Sequence, residues 1–145
     1  MTIRKAGRGF TLVELVIVIV VLGILASVAV PKFFNFSSDA KSAACKGALG
    51  GVRSAVANYY AYTATPTGGG TATWPTLAQL TTAGTVMEGV IPDNPYSTSA
   101  TKNAVIAGTT KGTPVTSGTT GGWCYKAATG EFWADTASGA SEAGF

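Results

Sequence analysis

Gly9-Phe10-Thr11-Leu12-Val13-Glu14-Leu15 opens the stretch on which the reading of this chain turns. It continues as an almost unbroken apolar run to Val30 and closes on Pro31-Lys32-Phe33. Between residues 10 and 30 there is one charge, Glu14. About 20 apolar residues form a helix long enough to cross a bilayer core of about 30 Å. Arg4, Lys5 and Arg8 stand just ahead of it, and insertion machinery keeps such basic residues on the cytoplasmic side. An ordinary secretory signal ends its apolar part on a small-residue cleavage site. Here the far side reads Ala29-Val30-Pro31-Lys32-Phe33, a poor match. The glycine that invites cleavage, Gly9, lies before the apolar run, so the run is expected to be kept. Gly9 has no side chain to obstruct a protease at the membrane face.

Working outward, residues 1–9 form a short leader. Beyond Pro31 the pattern becomes a stripe: Phe36, Ala40, Ala43, Gly47, Ala48, Gly51, Val52, Ala55, Tyr59, Tyr62. Steps of three and four put these on one helical face, made largely of small residues that a sheet could approach closely. The helix is expected over residues 10–62. The stretch after Tyr62, with Pro66 and Gly68-Gly69-Gly70, stops it. Residues 63–145 then form a head of short elements. These are a brief helix from Leu77 to Thr82, a strand from Ala104 to Thr109, and two strands, Trp123 to Lys126 and Glu131 to Ala134. The last two join through Ala127-Ala128-Thr129-Gly130 as a hairpin. The tail from Thr136 is small and polar. The fold class is α+β: one long N-terminal helix with a protruding apolar half, its C-terminal half packed on a small antiparallel sheet. Large aliphatics are scarce in the head, so Trp74, Tyr96, Trp123, Tyr125, Phe132 and Trp133 supply its core.

Charge and chemistry exclude several classes. The chain has ten Lys/Arg against seven Asp/Glu; without Arg4, Lys5 and Arg8 the count is seven against seven. A neutral mature chain has no basic field for nucleic acid. Histidine is absent, which removes the commonest general base and transition-metal ligand. No GxSxG, phosphate loop or framed carboxylate pair is present, so no catalytic residue, cofactor or metal is assigned. Asp93, Asn94, Ser97 and Asp135 offer hard oxygens of the kind calcium takes, but Asp93-Asn94-Pro95 is more simply a turn.

The segment from Gly9 to Leu15, continuing to Pro31-Lys32-Phe33, closely resembles the type IV pilin and pseudopilin family. Residues 30–40 and the Gly121-Gly122-Trp123-Cys124-Tyr125 hairpin with Gly130-Glu131-Phe132 look like pilins of the mannose-sensitive haemagglutinin type. The resemblance implies that a prepilin peptidase cuts between Gly9 and Phe10 and that the new Phe10 amine is methylated. It implies that Glu14 pairs with the N-terminus of a neighbouring copy and sets the axial register. A carboxylate inside an apolar helix costs about 2.5–3.5 kcal/mol; the nearby ammonium and the positive helix end offset that. In isolation Glu14 reads as an interfacial carboxylate near the headgroups. Gly23 and Pro31 both weaken the helix; a kink, or melting between them as related filaments show, are both open. Cys45 and Cys124, 79 positions apart, fit either one disulfide stapling helix to strand in an exported head or two buried thiols. Common pilins carry both cysteines in the C-terminal region, so this chain departs from that pattern.

The function so implied is a structural subunit of a type IV pilus for adhesion, motility or DNA uptake. The alternative is a pseudopilin of a type II secretion system. The implied partners are copies of the chain itself, the prepilin peptidase, the inner membrane and the assembly platform. The implied location is a single-pass inner-membrane precursor, then an extracellular filament.

Overall fold

The computed structural model describes residues 9–116 and 119–136, the side chains of Phe34 and Asn35 excepted. The leader bearing Arg4, Lys5 and Arg8, and the tail after Thr136, lie outside the described residues. The chain divides into two compact units, Met1–Asp39 and Ala40–Phe145.

The first unit holds the opening part of helix α1, Leu12–Thr63. Its Val and Ile content favours strands in water. In an apolar medium a lone strand would strand its backbone N–H and C=O groups, whereas a helix satisfies its own. Every large apolar side chain from Phe10 to Val30 is exposed. α1 is long and apolar enough to cross a membrane. It passes through Gly23 and Pro31 without interruption. Pro31 lacks the N–H that would bond the Ser27 carbonyl, and the Ser27 hydroxyl donates to the Ile24 carbonyl at 2.7 Å.

In the second unit α1 buries Cys45, Leu49, Val52 and Val56, with Thr63 at its end. The first four follow steps of four, three and four, a helical face. This corrects the small-residue stripe. Ala40, Ala43, Gly47 and Gly51 lie on exposed positions, and a Cβ added at Gly47, Gly50 or Gly51 would meet nothing within 4 Å. Apolar burial gains roughly 25 cal/mol per Å², so Leu49 and Val56 outweigh Gly and Ala in deciding which side turns inward. Thr63 ends the helix by accepting the Thr73 N–H at 2.9 Å.

A short helix α2, Leu77–Thr81, starts on a capping box: the Thr76 hydroxyl accepts the Gln79 N–H and the Gln79 side chain accepts the Thr76 N–H. Three strands follow, β1 Val105–Ala107, β2 Trp123–Lys126 and β3 Glu131–Ala134, in the order β1-β2-β3. β2 and β3 form the expected antiparallel hairpin, with Trp123 opposite Ala134, Cys124 opposite Trp133 and Tyr125 opposite Phe132. β1 instead pairs parallel to β2, so the sheet is mixed. The α+β class holds. Parallel neighbours need a crossover of a dozen or more residues, and residues 108–122 provide it.

The core lies between α1 and one face of the sheet. Cys45, Leu49, Val52 and Val56 pack with Trp123, Tyr125, Phe132 and Ala134, closed by Leu80 and Ile91. Arg53 ties the layers, its Nε donating to the Phe132 carbonyl at 2.9 Å.

Candidate functional site

The N-terminal residues form a reciprocal clasp at the start of α1. The Thr11 N–H and the Thr11 hydroxyl both donate to Glu14 Oε2 at 2.9 Å. The Glu14 N–H donates back to the Thr11 hydroxyl at 3.3 Å. This is a capping box, in which two otherwise unsatisfied helix-end donors find partners. The sequence reading gave Glu14 a partner in another copy and missed this one. The signal was there, as Thr-x-x-Glu immediately before an apolar run. Both contacts to the carboxylate use one oxygen; Oε1 has no hydrogen bond among the described residues. Phe10, the residue that would become the new N-terminus, is 89 % exposed beside Gly9.

Cys45 and Cys124 are both buried and are not joined. In the structure the two stand as separate buried thiols. The reason is strand alternation: successive side chains point to opposite faces. Trp123 and Tyr125 face α1 and Cys45, so Cys124 faces away. It sits there with Trp133, its partner across the hairpin. The Cys45 thiol lies 4.0 Å from Asn94 Oδ1. Burial, then the charge of Asp135, pushes the Cys124 thiol up to about 12.

The hard-oxygen residues are used inside the head. Asn94 donates to the Gly122 carbonyl at 2.6 Å and accepts the Tyr96 N–H at 3.0 Å. Ser97 donates to the Gly121 carbonyl at 2.9 Å. Asp135 accepts the Val115 N–H at 2.7 Å, the Thr116 N–H at 3.0 Å and the Thr116 hydroxyl. These bonds fasten the segments around residues 94–102 and 113–116 to the sheet. Asp93 is exposed. Among the described residues, no three acidic, histidine or cysteine side chains gather as a metal site.

The aromatics are core rather than a platform. Trp123, Tyr125 and Trp133 are at most 1 % exposed. Their polar tips donate to the carbonyls of Pro92, Pro75 and Thr113 at 2.8, 2.7 and 3.0 Å. A cleft of about 330 Å³ is lined by Thr81, Val90, Ile91, Asn103, Ala104 and Val105, with no acid, base or thiol among them.

Residues 4–30 match the family model of the prokaryotic N-terminal methylation motif. With the long apolar helix and the small α+β head, this motif makes the chain similar to type IV pilins and to a type II secretion pseudopilin. Among its relatives is the fimbrial protein EcpC of Eikenella corrodens, 29 % identical over 82 % of this chain and 72 % of that protein. The type IV narrow pilus major component PilA5 of Thermus thermophilus is 47 % identical over 35 % of this chain and 44 % of its own length. The type II secretion system core protein G of Pseudomonas aeruginosa is 36 % identical over 45 % and 49 %. The match thus spans less than half of the last two relatives. No solved structure matches the chain.

Proposed function

We propose that this chain is the structural subunit of a type IV pilus. In this reading a prepilin peptidase cuts between Gly9 and Phe10, the Phe10 amine is methylated, and copies leave the inner membrane to polymerise. The observation that carries it is the exposed apolar run. Every large apolar side chain from Phe10 to Val30 is uncovered, and each is worth about 1.5–3 kcal/mol when buried. Left in water that is tens of kcal/mol, roughly, more than a domain's whole stability of about 5–15 kcal/mol. The segment therefore needs lipid or copies of itself around it, and exchange between them keeps it dry throughout.

The test is mass spectrometry of the mature protein, expected to start at Phe10 with one added methyl. A mature chain retaining Met1 or Thr2 would sink the reading. The pseudopilin alternative draws support from the Pseudomonas match. Deletion separates the two: loss of surface filaments supports the pilus, while loss of exoprotein secretion with filaments intact supports the pseudopilin.

A further inference from the structure

Cys45 and Cys124 are each 0 % exposed, on opposite sides of the same sheet. The α1 side holds Cys45 against Trp123 and Tyr125. On the other side, a Cβ at Gly108 would meet the Trp133 ring at 2.3 Å and Cys124 Cβ at 3.3 Å. That side is sealed by the 108–116 segment, through Trp133 to the Thr113 carbonyl and Asp135 to Val115 and Thr116. A disulfide needs Cβ atoms about 3.5–4.5 Å apart with their bonds turned toward each other. Here the Cα–Cβ bond of Cys124 points away from α1, with the β2 backbone in between.

We infer that a Cys45–Cys124 disulfide and the native head exclude each other, so that oxidation of the unfolded chain is a lock on folding. To bring Cys124 to the α1 side, β2 must turn over. A one-residue slip reverses every side chain of the strand, so Trp123 and Tyr125 would leave the core and Trp133 would lose its partner. The unfolded chain has no such barrier. One thiolate attacks a disulfide oxidant such as oxidised glutathione, forming a mixed disulfide and releasing one reduced glutathione. The second thiolate then attacks the protein-bound sulfur, closing the ring and releasing the second glutathione. Two protein thiols are oxidised and one oxidant disulfide is reduced. Once the head is folded, both sulfurs are out of reach of the oxidant. The order of events therefore decides the outcome: folding first gives a head with two protected thiols, oxidation first gives a bridged chain that cannot pair β2 with β3 correctly.

The experiment uses the full chain in detergent. One sample is denatured with reductant and then diluted; a second is denatured, oxidised with glutathione disulfide and then diluted. Native content is read from the tryptophan emission and its thermal transition, and bridges are read by non-reducing peptide mapping. The reduced sample is expected to recover the native transition with both cysteines alkylating only after denaturation. The oxidised sample is expected to show the Cys45–Cys124 peptide, to lose the transition, and to regain it on adding dithiothreitol. The double variant Cys45→Ala/Cys124→Ala, which has no thiol to oxidise, should fold equally well from both treatments. A Cys45–Cys124 bridge in protein that keeps the native transition overturns the inference. So does equal loss of the transition, under the oxidising treatment, in the double variant.

Discussion

Replacing Glu14 by Gln separates two roles that replacement by Ala removes together. In the structure the carboxylate accepts the Thr11 N–H and hydroxyl at 2.9 Å within its own chain. A glutamine carbonyl takes the same two bonds, since Gln serves at this box position as Glu does. Glu14→Ala therefore loses the cap, about 0.5–2 kcal/mol, and the charge. Glu14→Gln loses only the charge. If the charge pairs with the Phe10 amine of a neighbouring copy, breaking that buried pair costs about 3–5 kcal/mol per contact. At about 1.4 kcal/mol per tenfold, that weakens each subunit addition roughly a hundred- to several-thousand-fold. The membrane precursor loses nothing comparable, because removing the charge relieves an insertion cost of about 2.5–3.5 kcal/mol. Both variants should reach the inner membrane with a normal head, judged by its thermal transition in detergent, and both should yield few or no filaments by electron microscopy. Thr11→Val keeps the charge and loses the hydroxyl side of the clasp, so it should keep most filaments. Wild-type filament numbers from Glu14→Gln would refute charge pairing and leave the cap as the whole role of this carboxylate.

Other perturbations test the remaining structure. Gly9→Val should leave uncleaved precursor in the membrane, seen as a mass that still includes the leader. Gly130 turns the β2–β3 hairpin at φ 70° with the Trp74 ring 2.3 Å from where a Cβ would stand. Gly130→Ala should therefore cost about 1–3 kcal/mol of head stability by chemical denaturation. Asp135→Ala leaves the Val115 and Thr116 N–H groups without their carboxylate and should cost about 2–4 kcal/mol, with early loss of amide-exchange protection at those two residues. The head should also be alkali-sensitive. An unfolded cysteine ionises near 8.5, while burial and then Asp135 hold native Cys124 up to about 12. A raised native pKa leaves stability whole below the unfolded value and removes it as pH climbs toward the native one. The melting temperature should fall between about pH 8.5 and 12, less steeply in Cys124→Ala. Tyr125, also pushed up to about 12 by burial and then Tyr59, adds its share above about pH 10.

The hairpin and the helix stop were legible because local chemistry decides them. Trp123 to Lys126 and Glu131 to Ala134 are short aromatic-rich runs on either side of a Gly130 turn, and Pro66 with three glycines ends any helix. The inward face of α1 was not legible in the same way. Small residues and aliphatics recur at interleaved helical spacings between residues 40 and 60. Only the sheet's Trp123 and Phe132, supplied from far along the chain, settle that Leu49 and Val56 turn in. The parallel placement of β1 was hidden for a similar reason. Residues 108–116 carry no periodic pattern, and Asp135 and Trp133 reach back to hold them at Val115 and Thr113. At the N-terminal site the residue types were plain and the geometry was not. Glu14 stood out as a lone charge, and that drew attention from Thr11, three residues before it.

The spare oxygen of Glu14 has an arithmetic of its own. Each copy carries one Oε1 left over from the cap and, on the proposed processing, one new amine. If copies stack in parallel along one axis, as the proposed pilus requires, and the amine of one meets the Glu14 of the next, the contact is head-to-tail and does not close on a pair. A row of such contacts satisfies every member except at its two ends, which keep one unmatched amine and one unmatched carboxylate whatever the row's length. Cutting a row in two creates a second set of ends and costs the full contact again. A fixed pool of copies therefore has its lowest free energy as few long rows, and the unmatched groups mark where the next copy is added or removed.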